Sequence, residues 1–143
     1  MTDITHALIA RVKQASHDGT ALQIIGGGSK QFMGRESIGD PISLSEHRGI
    51  ISYEPIELVL TARAGTPLHE IKDALAEQNQ CLAFEPPTFN GQATLGGTLA
   101  CHLSGPARPW SGSIRDHVLG VRLINGRAEA LRFGGQVMKN VAG

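Results

Sequence analysis

Three consecutive glycines followed by a hydroxyl and a lysine are the first residues of this chain whose types could bind a ligand. They form the segment Gly26-Gly27-Gly28-Ser29-Lys30, directly after the apolar run 21–25, which is typical of a short strand. Backbone N–H groups without side chains can converge on an anion, Ser29 could donate to a phosphate oxygen, and Lys30 could add a positive charge. Taken alone, the segment leaves two interpretations open, a flexible turn and a phosphate site.

Neither of the two common phosphate-binding glycine motifs fits this loop. The dinucleotide pattern G-x-G-x-x-G, begun at Gly26, requires a glycine where Gln31 stands. Begun at Gly27 it requires one where Ser29 stands, and begun at Gly28 it requires one where Lys30 stands. The P-loop requires a second glycine five positions after the first, and residues 31–33 contain none.

A second glycine-rich region begins at Gly91, and ten of the 18 glycines lie from there onward. Thr94-Leu95-Gly96-Gly97 has the form of a helix start, and Ser104-Gly105 and Ser111-Gly112 follow in a stretch without clear apolar periodicity. Such a stretch is typical of a surface that faces a ligand. A simple helix start is the other interpretation of residues 94–97.

Taken in order, these motifs resemble the FAD-binding domain of the PCMH-type (vanillyl-alcohol-oxidase-like) flavoproteins. Within that family the chain is most similar to the FAD-binding subunits of bacterial glycolate oxidases. The matching segments are 24–29, 94–97, 104–112, 115–121 and 139–143. The resemblance implies an α+β fold of two small α/β lobes, residues 1–88 and 89–143. The second lobe is expected to be truncated at its C-terminus, with the substrate or cap domain absent.

The resemblance implies FAD as the cofactor. The family's loop equivalent to residues 26–29 holds the pyrophosphate. The N–H groups of a short helix opened by residues 94–97 are expected to face the phosphates as well, and residues 104–112 to wrap the flavin. The residues expected to bind the cofactor are Gly26, Gly27, Gly28, Ser29, Lys30, Gly91, Thr94, Gly96, Gly97, Ser104, Gly105, Gly112 and Arg115. Arg115 could equally pair with a substrate carboxylate or a neighbouring chain, and no catalytic residue is assigned.

Some members of the family attach FAD covalently, through a histidine beside the glycine loop or a cysteine in the second lobe. Here Ser29 and Lys30 follow the glycines, so we expect non-covalent FAD, with a link through Cys101 as the minor alternative. Cys81 and Cys101 supply neither a disulfide framework nor a four-ligand zinc site. We therefore expect buried, reduced thiols and no metal site.

By resemblance, the complete protein oxidises a small 2-hydroxy acid by hydride transfer to the flavin. It would pass electrons to the other subunits of a glycolate oxidase-like complex, including an iron–sulfur subunit. The 143 residues alone are expected to be inactive. The alternatives are another PCMH-type enzyme, such as a D-lactate dehydrogenase or an enolpyruvyl-sugar reductase, and a non-redox nucleotide-binding or interaction domain.

Charge and hydropathy exclude several other classes. Thirteen basic and 13 acidic residues give zero net charge, which argues against binding to nucleic acid or to an anionic membrane surface. No apolar run approaches the ~20 residues of a membrane span, and the N-terminus has no signal-peptide pattern. We therefore expect a cytoplasmic protein, free or peripheral at the inner membrane through partner subunits.

Periodicity predicts the elements that must position these loops. Apolar residues at helical spacing predict a first helix that ends at Asp18-Gly19, and a second from Pro67 to about Gln78 with Thr66 as its N-cap. Short strands are predicted at 21–25, 41–44, 49–53, 57–63, 118–124 and 128–133. The last two flank Asn125-Gly126, a two-residue hairpin signal.

Overall fold

A computed structural model describes residues 3–135. The helices are α1 (Thr5–Asp18), α2 (Leu68–Ala76), α3 (Leu95–Cys101) and α4 (Arg108–Ser111), and a 3-10 helix covers Ile114–His117. The strands are β1 (Leu22–Ile25), β2 (Asp40–Ser43), β3 (Ile50–Glu54), β4 (Val59–Ala62), β5 (Gly120–Ile124) and β6 (Ala130–Gly134). The predicted α+β class is confirmed. The predicted family segment 139–143 lies outside the described residues.

α1 confirms the helix predicted from apolar spacing. Its buried residues Leu8 and Ala15 recur at helical spacing on one face. Gly19 adopts a left-handed φ of 67° and its N–H donates to the Ala15 carbonyl oxygen, which ends the helix. Within residues 3–135, no helix is both long enough and apolar enough to cross a membrane.

The strands pair in three separate two-stranded sheets. β1 and β2 are parallel, with Ile24 opposite Ile42, whereas β3–β4 and β5–β6 are antiparallel. The connection from β1 to β2 begins with the glycine loop, residues 26–30. The loop therefore leaves the carboxyl end of a strand, as the sequence predicts.

The core is built around α2. Its residues Leu68, Ile71 and Leu75 recur at helical spacing and are buried together with Ala93. Partly buried side chains pack around this cluster: Tyr53, Leu60, Ala62, Leu82, Phe89 and Leu95. The same core thus supports the β3–β4 sheet and residues 89–95, which lead into α3. The proposed lobe boundary at residue 88 stays a prediction.

The predicted N-cap role of Thr66 is wrong. α2 begins at Leu68, and Pro67, in an extended conformation, is its cap residue. The buried Thr66 hydroxyl instead accepts a hydrogen bond from the Gly49 N–H (2.9 Å) and donates to the Gly49 carbonyl oxygen (3.3 Å). It therefore ties the turn before α2 to the start of β3.

The predicted hairpin between β5 and β6 is present, but its turn is longer than the two residues expected. The Asn125 N–H donates to the Glu129 carbonyl oxygen, so residues 126–128 form the loop. Ala128 has a left-handed φ of 61°. The Asn125 side-chain oxygen accepts from the N–H groups of Arg127 and Glu129. Asn125 thus organises a three-residue loop from its first position.

The hairpin also places two arginines face to face. Arg122 and Arg132 are direct cross-strand partners, both are exposed, and neither has a carboxylate within ion-pair distance among residues 3–135. Like charges directly opposite each other destabilise a ladder, whereas opposite charges stabilise it. Arg132→Glu should therefore raise the free energy of unfolding by about 0.5–1 kcal/mol, measured by urea denaturation and by amide hydrogen exchange of β5.

The double variant Arg122→Glu/Arg132→Glu, in which both charges are reversed, is the matched control. It restores a like-charged pair, so its stability should return to the level of the unmodified chain. A double variant that is more stable than the single variant would show that the gain does not come from the cross-strand charge pair.

Candidate functional site

The glycine loop packs directly on the segment that precedes α3. A Cβ atom on Gly26 would lie 2.7 Å from Thr94 Oγ1, and one on Gly27 would overlap the carbonyl oxygen of Gln92. Real Cβ atoms essentially never approach within 3.0 Å of such atoms. Both positions therefore require glycine, and the structure brings together the two glycine-rich segments singled out from the sequence.

The backbone N–H groups of the glycine loop are available to a ligand. No residue within 3–135 accepts a hydrogen bond from the N–H groups of Gly26, Gly27, Gly28 or Ser29. Gly27 and Gly28 are exposed, and Gly28 turns the backbone with a left-handed φ of 71°. Successive unpaired N–H groups in such a turn form an anion-binding concavity.

Lys30 brings a positive charge to the same place. Its ammonium lies 5.2 Å from the centroid of the Phe89 ring and 3.4 Å from Ser29 Oγ. It is 3.8 Å from the position that a Cβ on Gly97 would occupy. Burial lowers the pKa of Lys30, and the nearby Cys101 thiol opposes that shift. No carboxylate within residues 3–135 forms an ion pair with this ammonium.

The backbone beside Lys30 is unusual. Phe89, Asn90 and Gly91 have φ values of 46°, 57° and 82°, so three successive residues are left-handed. This conformation is costly for a bulky residue such as Phe89. The turn is closed by hydrogen bonds from the Gln92 N–H to the Phe89 carbonyl oxygen and from the Ala93 N–H to the Thr88 carbonyl oxygen. Gly91, predicted to bind the cofactor, thus shapes the turn on which the glycine loop rests.

Thr94 opens α3, as the sequence predicts, but the first N–H groups of the helix all have acceptors within the protein. They donate as follows: Leu95 to the Thr66 carbonyl oxygen (2.9 Å), Gly96 to the Ala64 carbonyl oxygen (2.8 Å) and Gly97 to Thr94 Oγ1 (3.2 Å). These groups dock the segment on the turn before α2. The expectation that they face a phosphate is therefore not met by these three groups, and a cofactor contact by Thr94, Gly96 or Gly97 stays a prediction.

The Ser104–Gly112 loop is folded on itself. Ser104 is buried, and its hydroxyl accepts a hydrogen bond from the Ile114 N–H at 3.0 Å. Gly105 has a φ of 80°, and a Cβ there would overlap the Glu85 carbonyl oxygen. Gly112 also has a left-handed φ, of 82°. These residues have clear packing roles, and their predicted contact with a flavin is not tested by the structure.

Arg115 lies on the surface beyond this loop. It is exposed and forms no ion pair with another residue of the described part of the chain. Within residues 3–135 no hydrogen bond joins residues 104–115 to the glycine loop. The structure thus brings Gly26, Gly27, Lys30 and Gly91–Gly97 together and leaves Ser104, Gly105, Gly112 and Arg115 as a second group.

The two cysteines are free thiols in different environments. Cys101 is the last residue of α3 and is half-buried near Lys30, whereas Cys81 is exposed. The prediction of two buried thiols is therefore wrong for Cys81. Within the described residues, no group of three or more His, Cys, Asp or Glu side chains could hold a metal ion.

The sequence interpretation missed an aromatic pair beside the loop. Phe89 and Phe32 meet edge to face, with centroids 5.8 Å apart and an interplanar angle of 65°. No spacing rule links the two residues, because the contact depends on the left-handed turn at Phe89. Two surface grooves of the described residues lie along α2, and neither is lined by a residue of the glycine loop.

Known proteins are similar to this chain in sequence and in fold. The sequence model of a family described as FAD binding domain matches residues 4–134. The glycolate oxidase subunit GlcE of Escherichia coli (strain K12) is 54% identical over 141 residues, which cover 99% of this chain and 40% of that protein. The D-2-hydroxyglutarate dehydrogenase of Xanthomonas citri pv. viticola is 28% identical over 104 residues, which cover 71% of this chain and 21% of that protein.

The fold is also found among solved structures. An alkyldihydroxyacetonephosphate synthase matches with a TM-score of 0.71 at 20% sequence identity, covering 90% of this chain and 24% of that chain. At this identity the match concerns the fold alone. The chain spans less than half the length of the curated relatives that it matches.

The contact between Gly27 and Gln92 can be tested by stability. Gly27→Ala should lower the free energy of unfolding by about 1–3 kcal/mol, because the added methyl group forces the loop away from the turn before α3. Urea denaturation measures the loss. Gly126→Ala is the control, since a Cβ there would meet nothing within 4 Å. Equal effects of the two substitutions would contradict the close packing at Gly27.

Ser113 caps the 3-10 helix Ile114–His117 and forms a capping box with Asp116. This box should contribute to the pH dependence of the free energy of unfolding in acid. The Ser113 N–H and hydroxyl both donate to the Asp116 carboxylate, which lowers its pKa below the usual 3.8. A lowered pKa means that this contribution to stability is present above the unfolded-state pKa and is lost as the pH falls through the folded-state value. Asp116→Asn should therefore destabilise the chain at neutral pH and flatten the acid limb of its stability curve.

Urea midpoints recorded between about pH 2 and pH 6 measure this limb. Glu57→Gln is the control, because it removes an exposed carboxyl group whose side chain makes no hydrogen bond within residues 3–135. An acid limb of unchanged slope in Asp116→Asn would count against the capping box as its source.

Proposed function

The chain belongs to the FAD binding domain family, and from this we propose that it is the cofactor-binding part of a longer oxidoreductase that acts on a small 2-hydroxy acid. FAD is the cofactor of this family, as the sequence resemblance predicted. The observation that supports the proposal lies in the glycine loop, residues 26–30. The N–H groups of residues 26–29 have no acceptor within residues 3–135, and the ammonium of the next residue, Lys30, has no carboxylate partner there.

This arrangement fits a diphosphate. Its oxygens require several N–H donors and a positive charge within a short distance, and the loop supplies both without a side chain in the way. The proposed phosphate contacts are therefore Gly26, Gly27, Gly28, Ser29 and Lys30. Thr94 packs against Gly26 and Gly27, and Gly91 lies in the turn next to Gln92, which contacts the loop. Thr94, Gly96 and Gly97 stay proposed cofactor contacts. Ser104, Gly105, Gly112 and Arg115 are proposed to lie toward the flavin.

We propose that FAD is held without a covalent bond. Ser29 and Lys30 follow the glycines, so no histidine is present at that place in the loop. Cys101 is half-buried beside Lys30, and we assign it no bond to the cofactor. When bound, FAD supplies a two-electron acceptor for the hydride of the substrate. The residues of this chain bind and orient it.

Glycolate is proposed as the substrate because the relative named for it is 54% identical over 99% of this chain. D-2-hydroxyglutarate is the second candidate, since the other named relative is a dehydrogenase of that compound. Both compounds are 2-hydroxy acids. Because the first relative is a subunit of a glycolate oxidase, we further propose that the protein works in a complex. The sequence resemblance adds the proposals that an iron–sulfur subunit of this complex accepts the electrons and that the protein is cytoplasmic, or peripheral at the inner membrane through the complex.

FAD binding to the full-length protein tests this proposal. FAD should bind, as measured by quenching of its fluorescence, and Lys30→Met should weaken it about tenfold through loss of a charged hydrogen bond. Lys13→Met is the control, because it removes an exposed charge on α1. Equal affinity for FAD and ADP-ribose would favour a non-redox nucleotide-binding domain.

The substrate is tested by anaerobic addition of glycolate, D-lactate or D-2-hydroxyglutarate to the FAD-loaded protein. Glycolate should bleach the visible absorption of the flavin fastest. A protein that binds FAD but is bleached by none of the three would refute the assignment to 2-hydroxy acids and leave the cofactor assignment intact.

A further inference from the structure

The strained turn at Phe89 presents an aromatic face to the cation of the glycine loop. The Lys30 ammonium lies 5.2 Å from the ring centroid, within the range of a cation–π interaction. Its single hydrogen-bond partner within residues 3–135 is Ser29 Oγ, at a long 3.4 Å. The ring is therefore the principal group that fixes the position of this ammonium.

Two packing contacts and a hydrogen-bonded turn hold the ring in place. Phe89 packs against the core cluster of α2 on its buried side, and the edge-to-face contact with Phe32 restrains it from the loop side. Its left-handed φ of 46° is held by the two hydrogen bonds that close the turn. A bulky residue keeps such a conformation only where its surroundings impose it. The orientation of the ring is thus determined by the fold.

An aromatic ring holds a cation without neutralising it. A carboxylate at the same place would bind the ammonium more strongly but would cancel its charge and repel an anion. A ring attracts the ammonium through its quadrupole and leaves the net charge and the remaining N–H donors available. The geometry therefore suits a lysine that must meet a negatively charged ligand.

We propose that Phe89 is a positioning residue that holds the Lys30 ammonium beside the glycine loop for the diphosphate of the cofactor. The assignment rests on the proposed function of the loop. Phe89 lies outside the glycine motifs, and its left-handed turn places the ring under the ammonium. Phe89 contacts no phosphate itself and acts through Lys30.

A double-mutant cycle in the full-length protein tests the assignment. The dissociation constant of FAD is measured for the unmodified protein, Lys30→Met, Phe89→Leu and the double variant. Phe89→Leu should weaken binding about three- to tenfold. In the Lys30→Met background the same substitution should have no further effect, because there is no cation left to position. Phe89→Tyr retains a π face and should bind FAD nearly as well as the unmodified protein.

The outcomes distinguish a role of Phe89 in positioning Lys30 from a role in core packing alone. If Phe89→Leu weakens FAD binding by the same factor in both backgrounds, Phe89 supports the core only and the assignment is overturned, whatever the change in melting temperature. If the unmodified protein binds no FAD, the proposed function fails and the assignment fails with it. Inorganic pyrophosphate as competitor gives a second measurement, since its inhibition constant should rise in Phe89→Leu and should be the same in the double variant as in Lys30→Met.

Discussion

Two stretches of backbone touch at the centre of this structure, and neither has room for side chains at the contact. The glycine loop after β1 lies against Gln92 and Thr94 so closely that a methyl group at Gly27 would overlap a carbonyl oxygen. That contact fixes where the loop stands relative to α3 and to the Phe89 turn. The core around α2 anchors the segment that contacts the loop, because the Leu68 N–H donates to the Ala93 carbonyl oxygen and the two side chains pack in one cluster.

The backbone N–H groups on the two sides of this contact differ in their hydrogen bonding. Those at the start of α3 are paired with the turn before α2 and serve as structural links. Those of the glycine loop have no partner in the described residues and can serve a ligand. The same division applies to charge, since Arg48 and Arg63 are paired with carboxylates while Lys30 rests on an aromatic ring. The proposed anion site thus consists of N–H donors and a cation that the fold leaves without partners of opposite charge in the described residues.

The sequence predicted the elements and the family more successfully than the internal geometry of the site. α1, β1 and the hairpin follow from local periodicity and turn chemistry, which the sequence displays directly. The role of Thr66 was wrong because its hydroxyl finds a partner in Gly49, a contact that local rules do not contain. Likewise, the acceptors that occupy the N–H groups of Leu95 and Gly96 come from the turn before α2 and become visible only in three dimensions.

The Phe89 turn could not be predicted for a related reason. Phenylalanine has no preference for left-handed backbone, so the φ of Phe89 could not be predicted from its residue type, although Asn90 and Gly91 after it both tolerate a positive φ. It exists because hydrogen bonds and core packing impose it. The glycines were easier to interpret, since a loop of three has few uses besides close approach or turning, and at Gly26 and Gly27 the structure shows close approach.

The order in which the chain is synthesised bears on the contact between Gly27 and Gln92. The glycine loop leaves the ribosome well before the segment that must pack against it, so an N-terminal nascent chain carries the loop without its support. Contacts between residues so far apart in sequence are slow to form, because the chain must first close the intervening loop. The observed packing of the loop therefore requires that α2 and the segment after it have docked, and binding of the proposed phosphate ligand at this loop would follow that step.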